Sequence, residues 1–284
     1  MAAQIGVIGD LHSAWDAQDV AHFNGASYSL LLFTGDLGAS SKRDGRQIAQ
    51  SISRLQRPVL VMPGNNDVEQ VDTLGAELTL RRGARSLLDG DDGRGPGAQL
   101  CGYSSHPFEL PGAELTVVAG RPFSFGGSKL WFPEVLEREF GVTSLRQSAE
   151  RIVSLVHDAP TRDVIILSHN GPRGLGAAPE APWGNDFSSP GGDWGDPDLG
   201  EALTEIGAAG NKRLLAVIGG HMHWPIRDGA PRRFREHRDG TLYLNPARVP
   251  RIFPRPGGAR GRHHFALSID HRGARAEERV VETD

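Results

Sequence analysis

Short apolar runs punctuate the chain, and each closes on a polar turn. Residues 4–8 end at Gly9-Asp10, residues 30–33 at Gly35-Asp36, and residues 59–62 at Gly64-Asn65. Runs of Val, Ile and Leu without polar alternation read as strands covered on both faces, as in a parallel sheet between helices. Helical periodicity separates them. Residues 46–55 set Ile48, Ile52 and Leu55 on one stripe, and a weaker pattern covers 15–23. The order is βαβαβ.

Further along, the pattern predicts a turn-laden stretch over 89–97 and a strand over 115–119. Helices are expected over 133–140 and 143–156, the second with Leu145, Ile152, Leu155 and Val156 on its apolar face. Strands follow at 164–167, 214–218, 241–244 and 264–269. Residues 271–284 read as a charged tail that frays, with Val280-Val281 able to pair at an edge. Residues 170–199 form a long Gly/Pro/Trp-rich loop, a length usually tied to function. Trp183 and Trp194 in it read either as the core of a packed loop or as a platform for substrate.

Composition narrows the partners. With 31 Lys+Arg against 35 Asp+Glu the formal net charge is −4, which argues against nucleic acid as a partner. The one cysteine, Cys101, excludes an internal disulfide framework and a Cys-rich zinc module. No basic-then-apolar leader opens the chain and no uncharged apolar run approaches ~18 residues, so the expectation is a cytoplasmic protein without a membrane segment.

Five polar clusters stand at the ends of five expected strands: Asp10-Leu11-His12, Gly35-Asp36, Gly64-Asn65-Asn66-Asp67, Ser168-His169 and Gly220-His221-Met222-His223. The carboxyl ends of strands in a parallel sheet share one edge, where open α/β folds bind ligands. Asp10, His12, Asp36, Asn65, His169, His221 and His223 therefore converge. They are too many for one tetrahedral zinc and suit two ions sharing a carboxylate. A nitrogen and oxygen donor set without thiolate favours Mn, Fe or Zn over Ca, with Mg less natural. His22, His106, His157, His237, His263, His264 and His271 read as surface or satisfied residues. Of these, His106, in a segment expected to be a loop, is the one placed to supply an acid. Asp89, Asp91 and Asp92 lack the closing Glu of a calcium loop and read as a hairpin turn.

In this order the motifs D-x-H, G-D, G-N-x-D, S-H and G-H-x-H resemble the calcineurin-like metallophosphoesterases. Asn245-Pro246-Ala247-Arg248 is similar to the N-P-G-S turn of that family, and residues 168–176 with 191–197 resemble a branch found in cyanobacteria and plastids. The resemblance implies one domain over 1–270, a four-layer α/β/β/α sandwich of two mixed sheets flanked by helices. It implies two divalent metal ions, Mn first, one on Asp10, His12 and His223, the other on Asn65, His169 and His221, with Asp36 bridging. A metal-bridging hydroxide then attacks phosphorus in line, and the catalytic residues are Asp36, Asn65, Asp67 and His221. Asn66, Asn170, Arg173, Arg121 and Arg248 are the candidates for substrate contact.

One position departs from the pattern. The family carries a His after its ligand Asn, credited with protonating the leaving group; here it is Asn66. A carboxamide cannot act as a general acid, an effect typically worth ~10²–10⁴-fold. The expected function is hydrolysis of a small-molecule phosphomono- or diester. The alternatives are a scaffold module that keeps the fold, or a protein phosphatase. Retention of all seven donors argues against the scaffold.

Overall fold

The structure is a computed structural model that describes residues 2–39, 42–70 and 97–283. The turn expected over 89–97, with Asp89, Asp91 and Asp92, falls outside the described residues apart from Gly97. Two sheets face each other. The first holds β1 (Ala3–Ile8), β2 (Leu30–Phe33), β3 (Val59–Val61), β4 (Ala98–Leu100), β11 (Ile252–Pro254), β12 (Arg260–Asp270) and β13 (Gly273–Thr283), in the order β11-β12-β1-β2-β3-β4 with β13 along β12. The second runs β5-β6-β7-β8-β10-β9: β5 (Ser104–Leu110), β6 (Ala113–Ala119), β7 (Asp163–Asn170), β8 (Arg213–Gly220), β10 (Thr241–Leu244) and β9 (Arg235–Arg238). β1 to β4 are mutually parallel, as are β6, β7, β8 and β10.

Strand alternation sorts the core into layers. Ile5, Val7, Leu30 and Leu32 point between the sheets, where they meet Val117, Ile165, Leu167 and Ile218. Ile8, Leu31 and Phe33 face outward onto Phe23 of α1 (Ala17–Gly25) and Ile48 and Ile52 of α2 (Lys42–Ile52). On the other side Val118, Val164 and Ile166 pack on α3 (Pro133–Phe140), α4 (Leu145–His157) and α5 (Pro197–Ala209). The four-layer sandwich expected from the motifs is the fold observed.

Three elements correct the sequence reading. The supposed tail from 271 is β13, paired with β12 from Gly273 to Thr283. The segment around His106 is not a loop but β5, whose alternately exposed residues pair with β6. The end of the 170–199 loop is already α5, opened by Pro197 and closed by Gly210 in the left-handed region at φ 64°.

Candidate metal centre

β1, β2 and β3 of one sheet and β7 and β8 of the other carry their polar termini to a common end of the sandwich. Three of the expected ligands bend the chain through the left-handed region: His12 (φ 41°), Asp36 (φ 47°) and His221 (φ 65°). Such conformations cost ~1–3 kcal/mol each and persist only where surrounding contacts over-determine them. Two glycines permit the close approach. A Cβ on Gly64 would lie 2.1 Å from Asp36 Oδ1 and 2.7 Å from His169 Cε1. A Cβ on Gly220 would lie 2.1 Å from Asp10 Oδ1 and 2.6 Å from Thr34 Oγ1.

The donor atoms fall into two groups. Asp10, His12, Asp36 and His223 form one, and Asp36, His169 and His221 the other; within each, the ligand atoms lie within 4.8 Å of one another. Asp36 belongs to both. His12 and His223 bring their Nε2 atoms to 2.9 Å, with His12 Nε2 3.5 Å from Asp36 Oδ2 and His223 Nε2 3.4 Å from Asp10 Oδ2. Asn65 joins the second group, its Oδ1 2.9 Å from His169 Nε2. The donors that sequence reasoning assigned to each ion thus stand together.

Backbone and hydroxyl groups aim these side chains. Thr34 Oγ1 donates to Asp10 Oδ1 at 2.7 Å, and the His221 amide donates to Asp10 Oδ2 at 2.9 Å. His169 Nδ1 donates to the Thr34 carbonyl, which leaves Nε2 as the lone pair facing the centre. Asn66 clasps Asp36 twice, amide to Oδ1 at 2.9 Å and Nδ2 to Oδ2 at 2.8 Å. Asp67 is buried and accepts from the Gly64 amide at 2.8 Å and the Leu37 amide at 3.0 Å, so it ties the loops after β3 and β2 together. Burial and the neighbouring Asp36 push its carboxyl up to about 7.

The electrostatics suit a cation. Burial raises Asp10, yet the hydrogen bond from His223 and the nearby imidazoles hold it well below the usual carboxylate range. Burial, then repulsion from His169, pushes His221 down to about 3, and burial also lowers His12. Burial opposes charge on His169, but Asp36 and Asp10 outweigh it and raise its imidazole; a cation bound there would take over the role of that proton beside the carboxylates. Imidazole, carboxylate and carboxamide donors without thiolate fit a divalent transition ion.

A family model for calcineurin-like phosphoesterases matches residues 3–225. The chain belongs to that family. Among solved structures, TT1561 of Thermus thermophilus is similar at 12% identity and a TM-score of 0.56, over 98% of this chain and 99% of its own. Vacuolar Protein Sorting 29 from Cryptosporidium parvum aligns at 11% identity and a TM-score of 0.36, covering 99% of both chains. No match appears among curated proteins. No helix among the described residues is long and apolar enough to cross a membrane.

Beyond the seven candidate donors, the remaining expected residues divide. Asn66 is exposed at the centre. Arg121, expected on phosphate, is instead buried: its Nε and Nη2 donate to Asp198 at 2.9 and 3.1 Å, and Nη2 also pairs with Asp196 at 2.9 Å. Asn170 is likewise interior, its Nδ2 donating to the Trp194 carbonyl and to Asp196. Arg173 is exposed at the start of the 170–199 loop. Arg248 is half-buried, its guanidinium over the rings of Trp224 and Phe253 at 5.3 and 4.0 Å. His106 bonds Ser104 Oγ at 2.8 Å on β5, two strands from the strand of His169, roughly 10 Å at the usual strand spacing. It is not at the centre. Trp183 is core, its indole against Gly171 and its Nε1 donating to the Gly220 carbonyl. Sequence reasoning missed Thr34, whose signal was its place directly before Gly35-Asp36.

Proposed function

We propose that this protein is a two-metal phosphoesterase acting on a small-molecule phosphomono- or diester. The observation that carries this reading is Asp36, shared by two groups of donor atoms, each of which draws on both sheets. Asp10, His12 and His223 would hold one ion and Asn65, His169 and His221 the other, with Asp36 between them; Mn suits the set. Two bound divalent ions neutralise phosphate oxygens and lower the pKa of water towards ~7.

The chain's own residues do the rest. Asn66 stands exposed beside Asp36, where its carboxamide can donate to a phosphate oxygen and cannot protonate a leaving group. Asp67 acts as a positioning residue for the loops that carry Asp36 and Asn65. Among the arginines weighed from sequence, Arg173 is the exposed candidate for phosphate contact.

The test is a hydrolysis screen of Mn-loaded protein against p-nitrophenyl phosphate and bis-p-nitrophenyl phosphate, then metabolite phosphates, with metal-stripped protein as control. Metal-dependent turnover is expected. Full metal loading without turnover on any ester would favour the scaffold reading.

A further inference from the structure

Beside the metal centre the chain carries an aromatic surface that core packing does not explain. Phe125 is 40% exposed, one of two large apolar side chains exposed among the described residues. A lone exposed phenyl is ordinary. This one, however, stands 5.4 Å from the ring of the expected ligand His221 and 5.2 Å from Trp131.

Its mount is rigid. Trp194 Nε1 donates to the Phe125 carbonyl at 2.8 Å, the Gly127 amide returns a bond to the Trp194 carbonyl at 2.9 Å, and Trp131 Nε1 donates to the Gly126 carbonyl at 2.8 Å. A Cβ on Gly126 would lie 2.3 Å from Trp194 Cδ1, so the indole is seated directly on this turn. Phe123, Gly126 and Gly127 all take left-handed backbone, at φ 60°, 70° and 71°. Ser124 anchors the turn by donating to Asp196 at the N-terminus of α5. The aromatic surface continues from Trp194 to Phe187, ring centroids 5.0 Å apart, which packs with Met222 between the two site histidines. Left-handed backbone at a bulky residue is disfavoured; Phe123 takes it with its own ring buried, and two residues on the turn presents Phe125 to solvent.

Resting on the phosphoesterase reading above, we infer that Phe125, backed by Trp131, stacks a planar ring of the substrate. The phosphoester this protein takes therefore carries an aromatic group, aryl or nucleobase, close to its phosphate. For the aryl alternative Asn66 points the same way. An aryloxide leaves without an acid, and the chain offers none at that position. Lys129, its Nζ 5.5 Å from the Trp131 ring, adds positive charge at the rim for an anionic ligand.

The test is direct binding to Mn-loaded protein, with ligands matched in phosphorus chemistry and differing in the ring. Phenylphosphonate is compared with methylphosphonate by calorimetry. Adenosine 5′-monophosphate is compared with ribose 5-phosphate by rapid-mixing tryptophan fluorescence. Wild type should prefer the aromatic member of at least one pair by about tenfold, the scale of one ring stack, and the pair that shows it separates aryl from nucleobase. Phe125→Ala should cut that preference to under about threefold, and Phe125→Tyr should restore it. Equal binding within both pairs, or a preference that survives Phe125→Ala, overturns the assignment of Phe125 while metal-dependent hydrolysis stands. Failure of all four ligands to bind, with no ester hydrolysed, removes the phosphoesterase reading and this inference together.

Discussion

Thr34 and His169 join the two sheets at the metal centre: His169 Nδ1 donates to the Thr34 carbonyl at 2.6 Å. Thr34 follows β2 of the first sheet and His169 ends β7 of the second. The Thr34 hydroxyl meanwhile holds Asp10, so one residue orients a donor in each metal group. Thr34→Val keeps the carbonyl and leaves Asp10 Oδ1 without its hydroxyl partner. Metal affinity should fall ~10–100-fold and stability by ~1–3 kcal/mol, read by metal titration calorimetry and urea unfolding. Unchanged affinity would show that the hydroxyl has no part in holding Asp10.

Asp36 is the residue common to both donor groups. Asp36→Asn should therefore weaken both ions, whereas Asn65→Ala should weaken one. Elemental analysis after reconstitution and desalting distinguishes them, with wild type expected to approach two ions per chain. Loss of a single ion from Asp36→Asn would contradict a shared ligand.

Asn66 touches Asp36 through its amide as well as its side chain, so a substitution there keeps one of the two bonds. Asn66→His introduces an acid, and turnover on alkyl monoesters should rise by ~10-fold or more, with little change for aryl esters. His106→Ala should change neither rate, since its ring lies on β5 against Ser104. Wild-type activity equal on alkyl and aryl esters would mean another group supplies the proton.

Arg121 neutralises Asp196 and Asp198 in the interior. Arg121→Met strands two buried carboxylates and should cost ~3–5 kcal/mol of folding stability. Chemical denaturation measures this. An unaltered midpoint accompanied by weaker phosphate binding would return Arg121 to the site.

His264 is buried against Phe23 and bonded to the Tyr28 hydroxyl, and burial pushes its pKa down from 6.5 to about 2. Between those values the unfolded chain takes up a proton that the native imidazole refuses. Stability therefore falls as pH falls below 6.5, by ~1.4 kcal/mol per unit from this group. His264→Phe should flatten the slope of unfolding free energy between pH 6.5 and 5. An identical slope in both proteins would place the titration elsewhere.

The strands buried on both faces were legible in the chain because they leave continuous apolar runs, as at Leu30–Phe33. Edge strands were not. β9 reads Arg-Glu-His-Arg, and β13 alternates small and charged residues along one side of β12, so neither presents an apolar run. α5 escaped notice although Pro197 and Gly210 mark its ends, because its start lies inside the 170–199 loop.

For the site, sequence alone determined which donors are present, since Asp, His and Asn standing at strand ends share an edge wherever parallel sheets form. It could not say which arginine meets solvent. Arg121 and Arg173 look alike in the chain, and only packing put the first between two buried aspartates and left the second exposed. Thr34 carries only its place before Gly35-Asp36, and Phe125 carries no local signal. Their roles come from groups far along the chain, His169 for one and Trp194 and His221 for the other, brought together only when the two sheets close.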